Sequence, residues 1–181
     1  MSTLTLRPDS DVDLSSGGFV DQAGGTTNLY LSIDEESPDD DTTYIVETSG
    51  TATGHFGLPD HGAVTGVITN VRLVYRGKKS GFLFTAAVCG GIKVGASDSN
   101  HADSLRYPTS YTNYTMDWVE SPLSGVTWSW AEIDLLQIYL SGYCVGGTYA
   151  RLTQAYIEVT YHDPTDAVSF SEVPCHDLAV I

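Results

Sequence analysis

The sequence predicts an all-β protein, an antiparallel two-sheet sandwich of jelly-roll type with one short helix near residues 130–137. Three observations predict this fold. The composition, with 18 glycines and 11 tyrosines, is typical of strands joined by turns. Apolar and polar residues alternate with a period of two in several segments, and turn-forming residues separate them. A chain of 181 residues, 41% of them hydrophobic, is also long enough to bury a core without a metal or a disulfide.

The clearest predicted strand is Thr148–His162. Its alternation is that of an antiparallel strand with one buried side. The predicted apolar face carries Ala155, Ile157, Val159 and Tyr161, and the polar face carries Gln154, Glu158 and Thr160. The same pattern predicts a second strand over Gly66–Arg76. Its predicted apolar face carries Val67, Val71, Leu73 and Tyr75.

A hairpin is predicted after this second strand. Gly77–Gly81 favours a turn with two lysines at its tip, and the apolar segment Gly81–Val94 would return as the partner strand. Gly90 and Gly91 interrupt that segment and predict a bulge or a bend. Shorter strands are predicted at Leu4–Arg7, Asn28–Ile33, Thr43–Thr48, Tyr111–Trp118 and Gln137–Tyr143.

The predicted helix begins at a capping box. Ser129 and Glu132 have the S-x-x-E spacing in which each side chain binds a free backbone N–H of the first turn. The apolar residues Trp130, Ile133 and Leu136 follow, and we expect them to pack on a sheet edge.

The chain divides into a sandwich body, residues 1–162, and an extended C-terminal tail, residues 163–181, where the alternation ends. A domain rarely ends on free apolar residues, so we expect the tail to dock onto another molecule, the alternative being that it folds back on its own domain. The predicted interface residues of the tail are Val173, Leu178, Val180 and Ile181.

The strongest signal in the composition is charge. There are 23 acidic and 8 basic residues, a net charge of −15 and a pI near 4.3. Such a surface repels phosphate, so nucleic acid is not an expected partner. It fits a protein of a salt-loving host, with an acidic extracellular protein as the alternative. The sequence shows no signal peptide and no apolar run long enough for a membrane span, so synthesis in the cytoplasm and no membrane partner are expected.

Several segments occur in an order that resembles a known family. They are Leu6–Asp11, Asn28–Ile45, Ile68–Arg76, Ser110–Trp118, Val126–Ile138 and Arg151–Tyr161. The more specific of them contain DEESPDDDTTYI and WSWAEI. The order resembles small jelly-roll virion structural proteins of tailed phages and of haloarchaeal tailed viruses, over roughly residues 4–161.

The resemblance implies a subunit on the surface of a virion, as a capsid decoration, a turret or a tail-associated protein. It implies that the chain binds copies of itself, with a trimer favoured and a pentamer as the alternative, and that it attaches to the major capsid protein or other virion proteins. The acidic composition makes a virus of a halophilic archaeon the expected source. The family offers no catalytic residues to carry over, and none is predicted here.

An acidic segment is the candidate cation site. Calcium prefers several oxygen ligands, and Asp34, Glu36, Asp39 and Asp41 would supply them. The segment lacks the spacing of an EF-hand loop, and the alternative is a solvated turn built on Ser37-Pro38-Asp39. No other cofactor is predicted.

Aromatic residues support a second function, that of a carbohydrate-binding β-sandwich module on a viral fibre or tail that contacts host surface glycans. The rings of Trp118, Tyr111 and Tyr114 would stack on sugars. For Trp128 and Trp130 the alternative is packing in the core. Nucleophile elbows, P-loops and zinc spacings do not occur, so we expect no enzyme activity.

Overall fold

The computed structural model describes residues 1–14, 18–48, 50–81, 86–100, 105–106 and 108–163. Within these residues the chain forms twelve strands, a 3-10 helix at Leu29–Ser32 and one α-helix, α1, at Trp130–Ile133. The strands are β1 Ser2–Leu6, β2 Ser10–Asp13, β3 Phe19–Asp21, β4 Ile45–Glu47, β5 Thr51–Gly57, β6 Val67–Lys79, β7 Ala86–Val94, β8 Ser97–Asn100, β9 Leu105–Arg106, β10 Thr112–Trp118, β11 Leu136–Cys144 and β12 Ala150–His162.

The strands form two antiparallel sheets of six strands each. Sheet A has the order β10-β6-β12-β4-β3, and β1 pairs with β12. Sheet B has the order β2-β5-β11-β7-β8, and β9 pairs with β7. The chain alternates between the sheets from β4 to β7 and again from β10 to β12, which is jelly-roll connectivity. The predicted all-β sandwich is therefore confirmed.

The core lies between the inner faces of the two sheets, and the alternation of β12 shows how the sequence builds it. Ala155, Ile157 and Val159 are fully buried, as predicted, and Tyr161 packs against the same core from a half-buried position. Gln154, on the predicted polar face, is instead only 4% exposed.

The predicted hairpin and its bulge are wrong. The chain crosses between β6 and β7, so β6 lies in sheet A and β7 in sheet B. The pairing of β7 with β11 runs without a register shift. The glycine at position 90 serves a different purpose, because a Cβ there would lie 2.5 Å from Cε1 of Tyr75 in the opposite sheet. Gly90 therefore lets the large Tyr75 ring fit into the core.

The pairing of β12 with β6 has two register shifts, one between Leu152 and Gln154 and one between Thr160 and Tyr161. A one-residue shift turns side chains to the opposite face. Val67, predicted to face the core, is exposed for this reason, and Ile68 is buried instead.

The predicted strand at Asn28–Ile33 is a 3-10 helix. The carboxylate of Asp11 accepts hydrogen bonds from the backbone N–H groups of Leu29 and Tyr30 at 2.9 Å each. These are N–H groups that a helix start leaves free. Asn28 precedes them in the left-handed region, at φ 55°.

The predicted helix is confirmed at its start but is shorter than expected, since it ends at Ile133 and β11 begins at Leu136. The capping box is formed: Glu132 Oε2 accepts from Ser129 N and Oγ at 2.8 Å each. Burial would raise the pKa of Glu132, but hydrogen bonds from Ser121 and Ser129 outweigh it and lower the pKa to about 2. The carboxylate is thus held ionised between the helix and the preceding loop.

Strand β12 ends at His162, and of the predicted tail, residues 163–181, the structure describes only Asp163. The predicted interface residues Val173, Leu178, Val180 and Ile181 lie outside the described residues. Among the helices that the structure describes, none has the length and apolar character of a membrane span.

Candidate functional site

Part of the outer face of sheet A is covered by a segment of the chain itself, the acidic loop (residues 34–44). Arg76 of β6 donates two hydrogen bonds to the carboxylate of Asp40, at 2.7 and 2.9 Å. Asp41 binds Lys78 at 2.7 Å and Arg151 at 3.0 Å. Three cations of two neighbouring strands therefore hold the loop by its acidic side chains.

Neutral hydrogen bonds fix the backbone of the same loop. Gln154 Nε2 donates to the carbonyl oxygen of Glu35 at 2.7 Å, which explains why this polar side chain is buried. Thr153 Oγ1 donates to the carbonyl oxygen of Thr43 at 3.0 Å, and Thr43 N donates to Asp39 Oδ1 at 2.9 Å. The loop is thus attached to β12 along its length.

The ionisation of the loop follows from these contacts. Hydrogen bonding to Lys78 is the main reason that the pKa of Asp41 lies below its ordinary value, with a further contribution from Arg151. Glu35 behaves in the opposite way, because burial, followed by repulsion from Asp39, raises its pKa to about 7. The loop holds one carboxylate firmly ionised and another close to its titration point at neutral pH.

The predicted cation ligands Asp34, Glu36, Asp39 and Asp41 all belong to this loop. Asp41 is engaged by two basic side chains, and Asp39 by the backbone and hydroxyl of Thr43. In the described part of the chain, no three His, Cys, Asp or Glu side chains come close enough together to hold a metal ion. The geometry adds no support for the cation site, which stays a prediction.

The three predicted sugar-stacking residues do not form one surface. Tyr111 lies on the outer side of sheet A, where its hydroxyl donates to the carbonyl oxygen of Asp40 at 3.0 Å and Lys78 Nζ lies 4.4 Å from its ring centre. Tyr114 and Trp118 lie on the inner side of β10. Tyr114 stacks on the buried Tyr75, with ring centres 5.4 Å apart.

Trp118 is held at the rim of the core. Its Nε1 donates to Ser99 Oγ at 2.9 Å, and its carbonyl oxygen accepts from Trp128 Nε1 at 3.0 Å. Trp128 is buried, as the core-packing alternative predicted, whereas Trp130 is half-buried. The rings of Trp118, Tyr111 and Tyr114 are divided between the two sides of sheet A and already pack on the protein, so the geometry adds no support for sugar stacking at these residues, which stays a prediction.

The outer face of sheet B has a different character. Its central strand, β11, presents a row of uncharged polar and aromatic side chains: Gln137, Tyr139, Ser141 and Tyr143. Several neighbours across the strand pairs are small, Gly91 beside Tyr139 and Ala87 beside Tyr143 among them, whereas His55 and Lys93 are large. Tyr143 is 46% exposed, and Tyr139 is half-buried. We call this surface the β11 face.

His55 of β5 borders the centre of the β11 face. Its ring lies 5.1 Å from that of Tyr139, and its Nε2 lies 3.9 Å from Asp98 Oδ1 of β8. Strands β11 and β7 lie between β5 and β8. In a flat sheet the backbones of β5 and β8 would therefore be about 14 Å apart. The side chains thus approach each other across the row of Tyr139 and Gly91.

The ionisation of His55 reflects this setting. Burial is the main reason that its pKa lies below the ordinary value, and Lys93 lowers it further, while Asp98 and Asp13 oppose the shift. The imidazole is therefore uncharged at neutral pH. A tyrosine ring, neutral hydrogen-bonding groups and small neighbours are the groups that bind a ring-shaped, hydroxyl-rich molecule.

The sequence contained a signal for this face. The alternation of Gln137, Tyr139, Ser141 and Tyr143 with Ile138 and Leu140 is visible in the strand predicted over Gln137–Tyr143. What the sequence could not show is that β11 lies at the centre of its sheet, with His55 and Gly91 on its two neighbours.

No protein-family model matches the chain, and no curated protein matches it. Two solved structures align with 88% of the chain. One is TmCBM61 in complex with β-1,4-galactotriose, with 5% identity, 88% of that chain covered and a TM-score of 0.44. The other is the enzymatically active domain of tailspike protein 4 of bacteriophage CBA120, with 12% identity, 19% of that chain covered and a TM-score of 0.43. At this level of likeness, no property of either protein is transferred to this chain.

Proposed function

We propose that the chain is a carbohydrate-binding β-sandwich module, without catalytic activity, whose ligand lies along the β11 face. The observation that carries the proposal is the row of uncharged side chains at the centre of sheet B in a protein of net charge −15. Gln137 and Ser141 offer hydrogen bonds on either side of Tyr139, and the tyrosine offers a ring.

The length of the row suits a chain of sugars rather than a single ring. Tyr139 and Tyr143 are four residues apart on β11, which corresponds to about 14 Å along the strand. Both side chains project from the same face. An oligosaccharide laid along β11 would contact both tyrosines.

The experiment is a glycan-array screen followed by calorimetric titration of the best ligand. Tyr139→Ala is expected to weaken binding about tenfold, because an aromatic contact contributes about 0.5–1.5 kcal/mol. The matched control is Tyr156→Ala, which removes a half-buried tyrosine from the outer face of sheet A, where it lies under the guanidinium of Arg7. Equal losses for the two variants, or the absence of any glycan ligand, would contradict the proposal.

A second candidate is the virion subunit that the resemblance implies, and exposed aliphatic residues favour it. Val119 and Val126, at the hairpin closed by the bridge between Glu120 and Thr127, are 68% and 60% exposed, and Leu135 is 51% exposed. Exposed apolar side chains that lie together mark an assembly surface, here with further copies of the chain, and Val119 and Val126 adjoin the same bridge. Light scattering with size-exclusion chromatography tests it: a trimer supports assembly, with a pentamer as the alternative, and a monomer at all concentrations contradicts it.

A further inference from the structure

We infer that the β11 face releases its glycan in mild acid, when His55 takes up a proton and pairs with Asp98 across the row of Tyr139 and Gly91. This inference rests on the proposed function and names a regulation of the same site. It follows from the position of one buried ring nitrogen and from the titratable groups around it.

The ring nitrogen that faces Asp98 is the first observation. Nε2 of His55 is buried and has no hydrogen-bond partner in the part of the chain that the structure describes. Asp98 Oδ1 lies 3.9 Å from it, which is too far for a hydrogen bond. An uncharged imidazole needs a partner for only one N–H, so Nε2 can stay without one when it is the unprotonated nitrogen.

Protonation changes what this nitrogen requires. Both ring nitrogens of a charged histidine are donors, and a buried charged donor without an acceptor is strongly unfavourable. The Asp98 carboxylate supplies the acceptor once the gap of 3.9 Å closes by about 1 Å, to the length of a charge-assisted hydrogen bond. Gly91, which lies opposite Tyr139, has no side chain to obstruct this approach.

The titratable groups that face His55 come from four other strands of sheet B. They are Asp13 of β2, Tyr139 of β11, Lys93 of β7 and Asp98 of β8. Burial is the main reason that the pKa of His55 lies below its ordinary value of 6.5, and Lys93 lowers it further. Asp98 and Asp13 oppose these effects and favour the protonated ring. The imidazole is therefore half protonated only at a pH below 6.5, which places the change in mild acid.

The pairing of His55 with Asp98 would obstruct the ligand. The His55 ring lies 5.1 Å from the ring of Tyr139, so any movement of His55 towards Asp98 takes place beside the ring that is proposed to bind sugar. The paired charges would also lie across the row that the oligosaccharide follows, and a sugar placed there would strip water from both of them. The ligand therefore binds best when His55 is uncharged.

The experiment is calorimetric titration of the glycan that the array selects, at about pH 8 and about pH 5. The affinity is expected to be at least about fivefold weaker in acid, the effect of an ordinary coupling between a proton and a ligand. His55→Gln should bind with equal affinity at the two pH values. The matched control is Glu35→Gln, which removes a carboxyl with a pKa of about 7 from the acidic loop and should keep the weakening.

NMR signals of the His55 ring test the pairing in the protein without a ligand. Asp98→Asn should lower the pKa of His55, because the carboxylate that favours the protonated ring is removed. Asp117→Asn removes a negative charge from sheet A and should not lower it. In the parent protein, saturation with glycan should also lower the pKa of His55, since the coupling of proton and ligand is reciprocal.

The outcomes separate this inference from the proposed function. Equal affinity of the parent protein at the two pH values would overturn the inference and leave the proposed function standing. A His55 pKa that responds equally to Asp98→Asn and Asp117→Asn, or to neither, would overturn it as well. Binding of no glycan at either pH would remove the proposed function and this inference with it.

Discussion

The two outer faces of the sandwich differ in what covers them. Sheet A is covered by the acidic loop, which Arg76, Lys78, Arg151 and Gln154 hold in place through charged and neutral hydrogen bonds. Sheet B presents the β11 face, whose central side chains are uncharged. The comparison teaches that basic residues of an acidic protein can bind its own loop on one face, while the central strand of the other face carries uncharged side chains.

The largest effect is expected in the core that separates the two faces. Gly90→Ala would place a methyl group 2.5 Å from the ring of Tyr75, so the free energy of unfolding should fall by about 2–3 kcal/mol. Urea denaturation measures it. The double variant Gly90→Ala with Tyr75→Leu places a smaller residue opposite position 90. Its loss in free energy of unfolding should therefore be smaller than the sum of the losses of the two single variants. Simple additivity would show that the contact is not the cause.

The next effect concerns the loop of sheet A. Arg76→Ala removes the two hydrogen bonds to Asp40 and should lower the free energy of unfolding by about 2 kcal/mol, because this pair is partly buried. The matched control is Arg72→Ala, whose pair with Asp117 is more exposed and should contribute only about 0.5 kcal/mol. Similar losses from both variants would mean that the loop is not held by this contact.

A pH dependence distinguishes the loop from the rest of the surface. The raised pKa of Glu35, about 7, means that the folded protein keeps a proton that the unfolded chain loses near its ordinary value of 4.5. The contribution of this group to stability is therefore full below pH 4.5 and is lost as the pH rises through 7.

Glu35→Gln has no carboxyl group to ionise, so it should not lose stability as the pH rises through 7. At pH 8 the variant should be more stable than the parent by about 1 kcal/mol, a value reduced because the carboxyl is only partly buried. At pH 4 the two proteins should be equally stable. Chemical denaturation at the two pH values measures the difference, and the same stability change at both would contradict a proton-linked cause.

Much of this comparison could be predicted from the sequence, but not all of it. The alternation in β12 and the capping box at Ser129 predicted the buried face and the helix start, because both depend on short-range spacing. The hairpin after β6 was wrong because no local signal says whether a turn returns to the same sheet or crosses to the other. The sequence could not show that the acidic loop binds Arg76 and Arg151, because these partners are distant from the loop in sequence.

The smallest effect on stability is expected on the β11 face. Tyr143→Ala should change the free energy of unfolding by no more than about 0.5 kcal/mol, because nearly half of the side chain is exposed. The same variant should weaken glycan binding measurably, because the ring lies on the proposed path of the ligand. A surface that evolved for stability would show the reverse, a loss of stability without loss of binding. The two measurements together therefore separate a ligand-binding face from an ordinary one. Arg76→Ala on sheet A is the opposite case, with a large expected effect on the free energy of unfolding and none on glycan binding.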